Sequence, residues 1–150
     1  MENGFTWKIG GEAGYGIMSS GLIFAKACLR SGYFVVDSNE YPSLIRGGHN
    51  GYTVRASKEK IFSIVKSVDV LVALDKNTVI LHQKELSKDA YIILNTDKVS
   101  EEEAKTLTKS KIYPIPLMSL AKEAGGEPIM ANTIALGATF YMVDGDFDIL

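Results

Sequence analysis

The chain has 150 residues, 46% of them hydrophobic, enough to bury the core of a single domain. A formal net charge of −2 and a pI near 5.7 argue against a nucleic-acid partner, whose contact surfaces carry a basic stripe. The single cysteine, Cys28, excludes an intrachain disulfide, no run approaches the ~18 apolar residues of a membrane span, and the N-terminus lacks a signal-like pattern, so a cytoplasmic location is expected.

Phe5 to Ile9 is an apolar entry that predicts a first strand, and it runs into a glycine loop, Gly10-Gly11-Glu12-Ala13-Gly14-Tyr15-Gly16. A helical pattern follows, in which Ile17, Gly21, Phe24 and Cys28 share one stripe with Met18, Leu22, Ala25 and Leu29 beside it. Cys28 on that stripe reads as packing rather than chemistry. Gly32 stands where a helix C-cap glycine belongs, ahead of a second strand over Tyr33 to Asp37. In a strand, glycine loop, helix sequence the unpaired amides and the helix dipole favour an anion, and a phosphate is the expected guest.

The loop also fits a degraded dinucleotide fingerprint, Gly11-x-Ala13-x-x-Gly16, with Asp37 in the acidic position. Alanine occupies the slot where backbone must come closest to a pyrophosphate. A second loop, Tyr41-Pro42-Ser43-Leu44-Ile45-Arg46-Gly47-Gly48-His49-Asn50, holds Tyr41 extended through Pro42 and lets Gly47 and Gly48 turn the backbone beside Arg46. Arg46 offers a charged fork for a phosphate or carboxylate, or else pairs with Glu40 or Asp37.

Gly51 to Ala56 predicts a strand, with Ile61 to Val65 as its hairpin partner across the polar turn Ser57 to Lys60. Val68 to Leu74 is a nearly continuous apolar run around Asp69, the mark of a strand covered on both faces, and Asp75 ends it. A short helix over Thr78 to Leu86 and a strand over Tyr91 to Asn95 follow. Ser100 with Glu103, behind Glu101 and Glu102, has capping-box spacing and predicts a helix to Thr108. Ile112 to Ile115 reads as a strand ended by Pro114 and Pro116, and Met118 to Ala124 as a helix closed by Gly125-Gly126. Asn132 is the candidate cap of a last helix to about Met142, and Asp146 to Leu150 has the look of another helix beginning.

The alternation predicts a three-layer α/β/α, Rossmann-like domain over residues 1–150, its sheet mainly parallel with one antiparallel hairpin. Binding belongs at the carboxyl ends of the first strands. His49 reads as a hydrogen-bonding residue of the second loop and His82 as a surface residue. No Ser/His/Asp or Cys/His pairing, metal-ligand spacing or thiamine-type motif stands out, so no catalytic residue and no metal ligand is assigned.

Gly10, Gly11, Gly14 and Gly16, then Tyr41, Arg46, Gly47 and Gly48, then Val54, Arg55 and Ser57 make the chain resemble the gamma subunit or gamma domain of 2-oxoacid:ferredoxin oxidoreductases of the pyruvate and 2-oxoglutarate type. The likeness extends through the Ser67 to Asp75 run and the late Met130 to Ala138 segment, and it departs at Glu12 and Ala13. The segment Glu40 to Asn50 is most similar to members whose gamma domain is fused ahead of the alpha part; family members continue with another helix where Asp146 to Leu150 begins one, so a piece of a longer chain is expected. The resemblance implies thiamine diphosphate and iron–sulfur clusters on partner domains, alpha and beta partners, transfer of electrons to ferredoxin, and coenzyme A as the ligand this domain helps to bind. It implies a site of Gly11, Gly14, Tyr15, Gly16, Arg46, Gly47, Gly48, Asn50 and Asn132. A stand-alone NAD or nucleotide-binding domain and a non-catalytic assembly scaffold remain open alternatives.

Overall fold

The computed structural model describes residues 4–41 and 48–143. In chain order they form β1 (Gly4–Glu12), α1 (Ile17–Arg30), β2 (Phe34–Glu40), β3 (His49–Ser57), β4 (Val68–Ala73), α2 (Lys76–His82), β5 (Leu86–Asn95), α3 (Glu101–Leu107), β6 (Lys111–Ile115), α4 (Leu117–Glu123), a 3-10 turn (Pro128–Met130) and α5 (Ala131–Met142). One six-stranded sheet runs β2-β3-β1-β4-β5-β6. Only β3 opposes its neighbours: it is antiparallel to both β1 and β2, while β1, β4, β5 and β6 pair in parallel. This is the expected α/β architecture.

The antiparallel hairpin is a different one from that predicted. Strand β3 pairs with β2 on one side and β1 on the other, so neither of its edges is free for residues 61–65. That segment is not a strand; Phe62 is 83% exposed, and the Ser63 carbonyl accepts from Arg55 Nη1 at 2.8 Å. The predicted ends move elsewhere too: α2 stops at His82, and β5 begins at Leu86, where it pairs with Val68 across a register shift in β4.

Alternation along the strands splits the core in two. Phe5, Trp7 and Ile9 of β1 face α1 and α5 in a cluster with Phe24, Val54, Val72, Ile93, Leu136 and Phe140. Leu71, Ala73, Ile92 and Leu94 face the other way, against Val79 of α2 and Ala104 of α3. Trp7 is fully buried, its ring centroid 4.3 Å from that of Phe24, and its Nε1–H donates to Thr139 Oγ1 at 3.1 Å. The α1 stripe buries Ile17, Gly21, Phe24 and Cys28 as predicted, but Leu22 and Leu29 beside it are 47% and 54% exposed because the sheet covers only one side of the helix.

Local signals close the helices. Gly32, at φ 78°, follows α1, and the amides of Gly32 and Tyr33 donate to the carbonyls of Leu29 and Cys28, a Schellman ending. Gly125 and Gly126 close α4 in the same way, donating to Lys122 and Ala121. Ser100 and Glu103 form both halves of the capping box on α3.

Candidate functional site

Strand β1 leads into α1 on one face of the sheet, and its parallel neighbour β4 leads into α2 on the other. Helices leaving adjacent parallel strands on opposite sides open a crevice at the carboxyl ends, the usual place for a ligand in an open α/β sheet. The glycine loop and the described end of the second loop, Gly48 to Asn50, meet there. The Ala13 amide donates to the Gly48 carbonyl at 3.1 Å, and Gly11 stands opposite Asn50 in the β1–β3 ladder.

On the α1 side the loop is shaped for close approach. Gly14 has φ 99° with nothing within 4 Å of where a Cβ would lie. Gly16 has φ 68°, and a Cβ there would come 2.3 Å from Asn132 Nδ2. Gly16 is the N-cap of α1 and has no side chain with which to cap it, so the first amides of a 14-residue helix lack an intrahelical acceptor. Tyr15 packs on the core edge, and its carbonyl accepts from Asn132 Nδ2 at 3.1 Å. Asn132 therefore does not cap α5 as predicted: it lies inside the first turn, after Met130 as N-cap, and its amide is spent locking the glycine loop. Tyr15, Leu74, Asn95, Met118 and Asn132 line a crevice of about 10 Å³, room for one water.

Among the predicted ligand contacts, Gly11, Gly14, Tyr15, Gly16, Gly48, Asn50 and Asn132 thus lie at one end of the sheet. Arg46 and Gly47, with Pro42 to Ile45, lie outside the described residues, as do Asp146 to Leu150. The acidic half of the dinucleotide fingerprint does not assemble. Strand β3 lies between β2 and β1, which moves Asp37 one strand further from the glycine loop, and its carboxylate accepts from the Tyr52 hydroxyl. Burial first, and then Asp37, push that hydroxyl up to about 12.

On the α2 side lies a polar constellation that local spacing does not reveal. Lys8, 3% exposed in the middle of β1, donates to Glu40 at 2.7 Å and to Glu85 at 2.8 Å. Glu85 also meets His82 Nδ1 at 3.0 Å, and His82 Nε2 lies 2.8 Å from His49 Nε2. His82 is 4% exposed, a correction to its reading as a surface residue: α2 turns it inward onto this carboxylate. Two glycines make the room. Gly10 and Gly51 face each other across β1 and β3; a Cβ on Gly10 would strike His49 Cε1 at 2.7 Å, and one on Gly51 would meet Glu40 Oε2 at 3.1 Å.

Burial, and then the neighbouring imidazole, hold His49 below its ordinary pKa; burial, and then the Lys8 ammonium, do the same to His82. Burial works to raise Glu85, but Lys8 and His82 outweigh it and hold the carboxyl below its usual value. Beside His49, a cavity of about 390 Å³ is bordered by Glu12, Gly48, Asp75, Lys76, Asn77 and Lys98. Asp75 is committed to capping α2, accepting from the Thr78 amide at 2.9 Å, and Lys76 pairs with Glu103 at 3.0 Å. Lys8 inside an otherwise apolar strand was the one sequence signal that a buried counter-charge must exist. Among the described residues no group of three or more His, Cys, Asp or Glu is placed to hold a metal ion, and no helix is long and apolar enough to cross a membrane.

Residues 6–148 match the family model described as pyruvate ferredoxin/flavodoxin oxidoreductase. The 2-oxoglutarate synthase subunit KorC of Methanothermobacter thermautotrophicus is 29% identical over 136 residues, covering 87% of this chain and 72% of that one. A 2-oxoacid:ferredoxin oxidoreductase alpha subunit from a Sulfolobus species is 36% identical over 77 residues, 51% of this chain; the match spans only 12% of that relative's length. Among solved structures, the 2-oxoglutarate:ferredoxin oxidoreductase of Magnetococcus marinus, with 2-oxoglutarate, coenzyme A and succinyl-CoA bound, superposes with a TM-score of 0.80 at 29% identity, over 93% of this chain and 24% of that one. A pyruvate oxidoreductase subunit of Thermotoga maritima shares the fold, with a TM-score of 0.77 at 24% identity over 99% of this chain and 79% of that one. With a family match running almost from end to end, over residues 6–148, the chain belongs to the pyruvate ferredoxin/flavodoxin oxidoreductase family.

Proposed function

We propose that this chain acts as the gamma domain of a 2-oxoacid:ferredoxin oxidoreductase, packing against alpha and beta partners and contributing contacts to coenzyme A. The observation that carries the reading is the glycine loop at the N-terminus of α1: Gly14 open and left-handed, Gly16 uncapped, and Asn132 fixing the Tyr15 carbonyl so that the loop amides stay presented. Such a cradle suits the phosphates of a nucleotide. That a relative's structure contains coenzyme A and its succinyl thioester supports this choice of ligand. Arg46 is the candidate partner for a phosphate or carboxylate, with Gly47, Gly48 and Asn50 of the same sequence segment as further candidates.

In this scheme thiamine diphosphate on a partner decarboxylates the 2-oxoacid, iron–sulfur clusters on partners pass electrons to ferredoxin, and coenzyme A receives the acyl group. This chain binds and orients, and the cofactors carry the bond-breaking chemistry. Stand-alone NAD binding fits less well, because Asp37 lies on the far side of β3 and is engaged by Tyr52.

The test is 2-oxoacid-dependent reduction of a viologen dye by the enzyme assembled with its partners, with and without coenzyme A. Arg46→Ala is expected to raise the KM for coenzyme A about tenfold, the scale of one lost charge-assisted hydrogen bond, and Gly16→Ala, whose Cβ would lie 2.3 Å from Asn132 Nδ2, is expected to raise it by displacing the loop. An unchanged KM in both variants would remove the loops from the ligand site. Weakened subunit association on gel filtration would then assign the chain to scaffolding.

A further inference from the structure

The Glu85, His82 and His49 chain has a fixed polarity. Glu85 is the partner of Lys8 and accepts only, so His82 Nδ1 must carry the proton it donates to that carboxylate. His82 Nε2 is then a bare lone pair, and the 2.8 Å contact requires His49 Nε2 to carry the hydrogen between the rings. The remaining nitrogen, His49 Nδ1, is left as an acceptor. It is buried and has no hydrogen-bond partner among the described residues, an unfavourable state that a proton donor would relieve. Carboxylate, imidazole, imidazole is the order of a triad with one ring added: the carboxylate orients the first ring and stabilises the cation when a proton arrives.

The charges agree. With both rings neutral, Glu40, Glu85 and Lys8 leave the cluster with one net negative charge, and one added proton neutralises it. A second proton would set two imidazolium rings nitrogen to nitrogen. The pair therefore takes up one proton, and His49 is the ring of the two that borders the 390 Å³ cavity. The charged groups facing the pair are Lys8 and Glu12 from β1, Glu40 from β2, Asp75 ahead of α2, Glu85 after it, and Lys76 and Lys98 across the cavity.

We propose that Glu85, His82 and His49 form a one-proton relay by which His49 serves the cavity as a general base toward a protic ligand group, a thiol. The step balances: the S–H proton passes to His49 Nδ1, the His49 Nε2 proton passes to His82 Nε2, and a thiolate is left beside a neutral His49, with the His82 imidazolium held by Glu85 behind it. The choice of thiol rests on the coenzyme A reading above; the relay does not.

Two measurements separate them. The chain has two histidines, so histidine-selective 15N labelling of the full-length protein gives one signal set for each. The relay requires Nδ1–H on His82, Nε2–H on His49, and uptake of a single proton by the pair below the ordinary 6.5. An Nε2–H tautomer on His82, or two independent titrations near 6.5, overturns it. In the assembled enzyme, His49→Gln is expected to lower kcat/KM for coenzyme A about 100-fold and to abolish its acid limb, while His82→Gln shifts that limb. An unchanged pH profile in both variants overturns the general-base role, and activity that ignores coenzyme A overturns the choice of thiol while the tautomers still decide the relay.

Discussion

The two faces of β1 are held by different physics. Toward α1 and α5, Phe5, Trp7 and Ile9 make a dry apolar contact; toward α2, Lys8 and Gly10 sit in a network of two carboxylates and two imidazoles. Both faces are buried, since Trp7 is 0% and Lys8 3% exposed. What differs is tolerance: an apolar contact degrades with lost volume, whereas a buried ion network fails when one member is left without its counter-charge.

The sharpest way to break the comparison is to remove material from each face. Trp7→Ala should cost about 3–5 kcal/mol, from the cavity it leaves beside Phe24 and the lost bond to Thr139. Removing both partners of Lys8, as Glu40→Gln with Glu85→Gln, should also cost about 3–5 kcal/mol by stranding a buried ammonium. The faces part company on repair. Adding Lys8→Met to the double variant should restore most of the loss in urea denaturation, because polar and ionic demands vanish together. A double variant as stable as the parent would mean that Lys8 reaches water and that the polar face is not held by charge.

Adding one methyl to each face separates them further. Gly21→Ala would place a Cβ 2.2 Å from the Tyr52 ring on the apolar face, and Gly10→Ala one 2.7 Å from His49 and Thr78 on the polar face. Each should cost about 1–3 kcal/mol by overpacking. Only Gly10→Ala should move the His49 ring signals in NMR; equal movement in both would mean that the two faces are mechanically coupled through β3.

The apolar face was the legible one. Its elements announce themselves over a few residues: alternation through Phe5, Trp7 and Ile9, the α1 stripe, Gly32 as a helix stop, Ser100 with Glu103 as a helix start. Apart from His82 and Glu85, three residues apart, the polar face is built from pairs 32, 33 and 77 residues apart, and no local period encodes those. The pairing of β3 with β1 is equally non-local, whereas its other edge is taken by the preceding strand β2 in place of the expected residues 61–65. Asn132 was read as a cap because asparagine favours that position, yet its partner lies 117 residues away. Gly10 falls in the predicted glycine loop and Gly51 at the start of a predicted strand; both lie inside strands, and what no sequence signal shows is that they clear space for side chains of the network.

The faces also differ in how they answer to pH, the smallest effect expected. On the apolar face, burial pushes the Cys28 thiol up to about 12, so it stays silent through the neutral and mildly acid range. On the polar face both histidines have lowered values in the folded state, so above the ordinary 6.5 both rings are neutral whether folded or not and stability is flat. As pH falls through 6.5 the unfolded chain takes protons that the folded one resists, and stability declines until the folded pair takes its own. At pH 6 the loss is roughly 1 kcal/mol or less per histidine. Glu85, with its lowered value, adds a second decline only as pH falls below the ordinary carboxyl range near 4.5. Urea denaturation from pH 7.5 to 5.5 should therefore show one gentle fall, reduced in His49→Gln and absent when His82→Gln is combined with it. A fall that survives in the double variant would place the titrating group elsewhere, and the two faces would no longer differ in their response to protons.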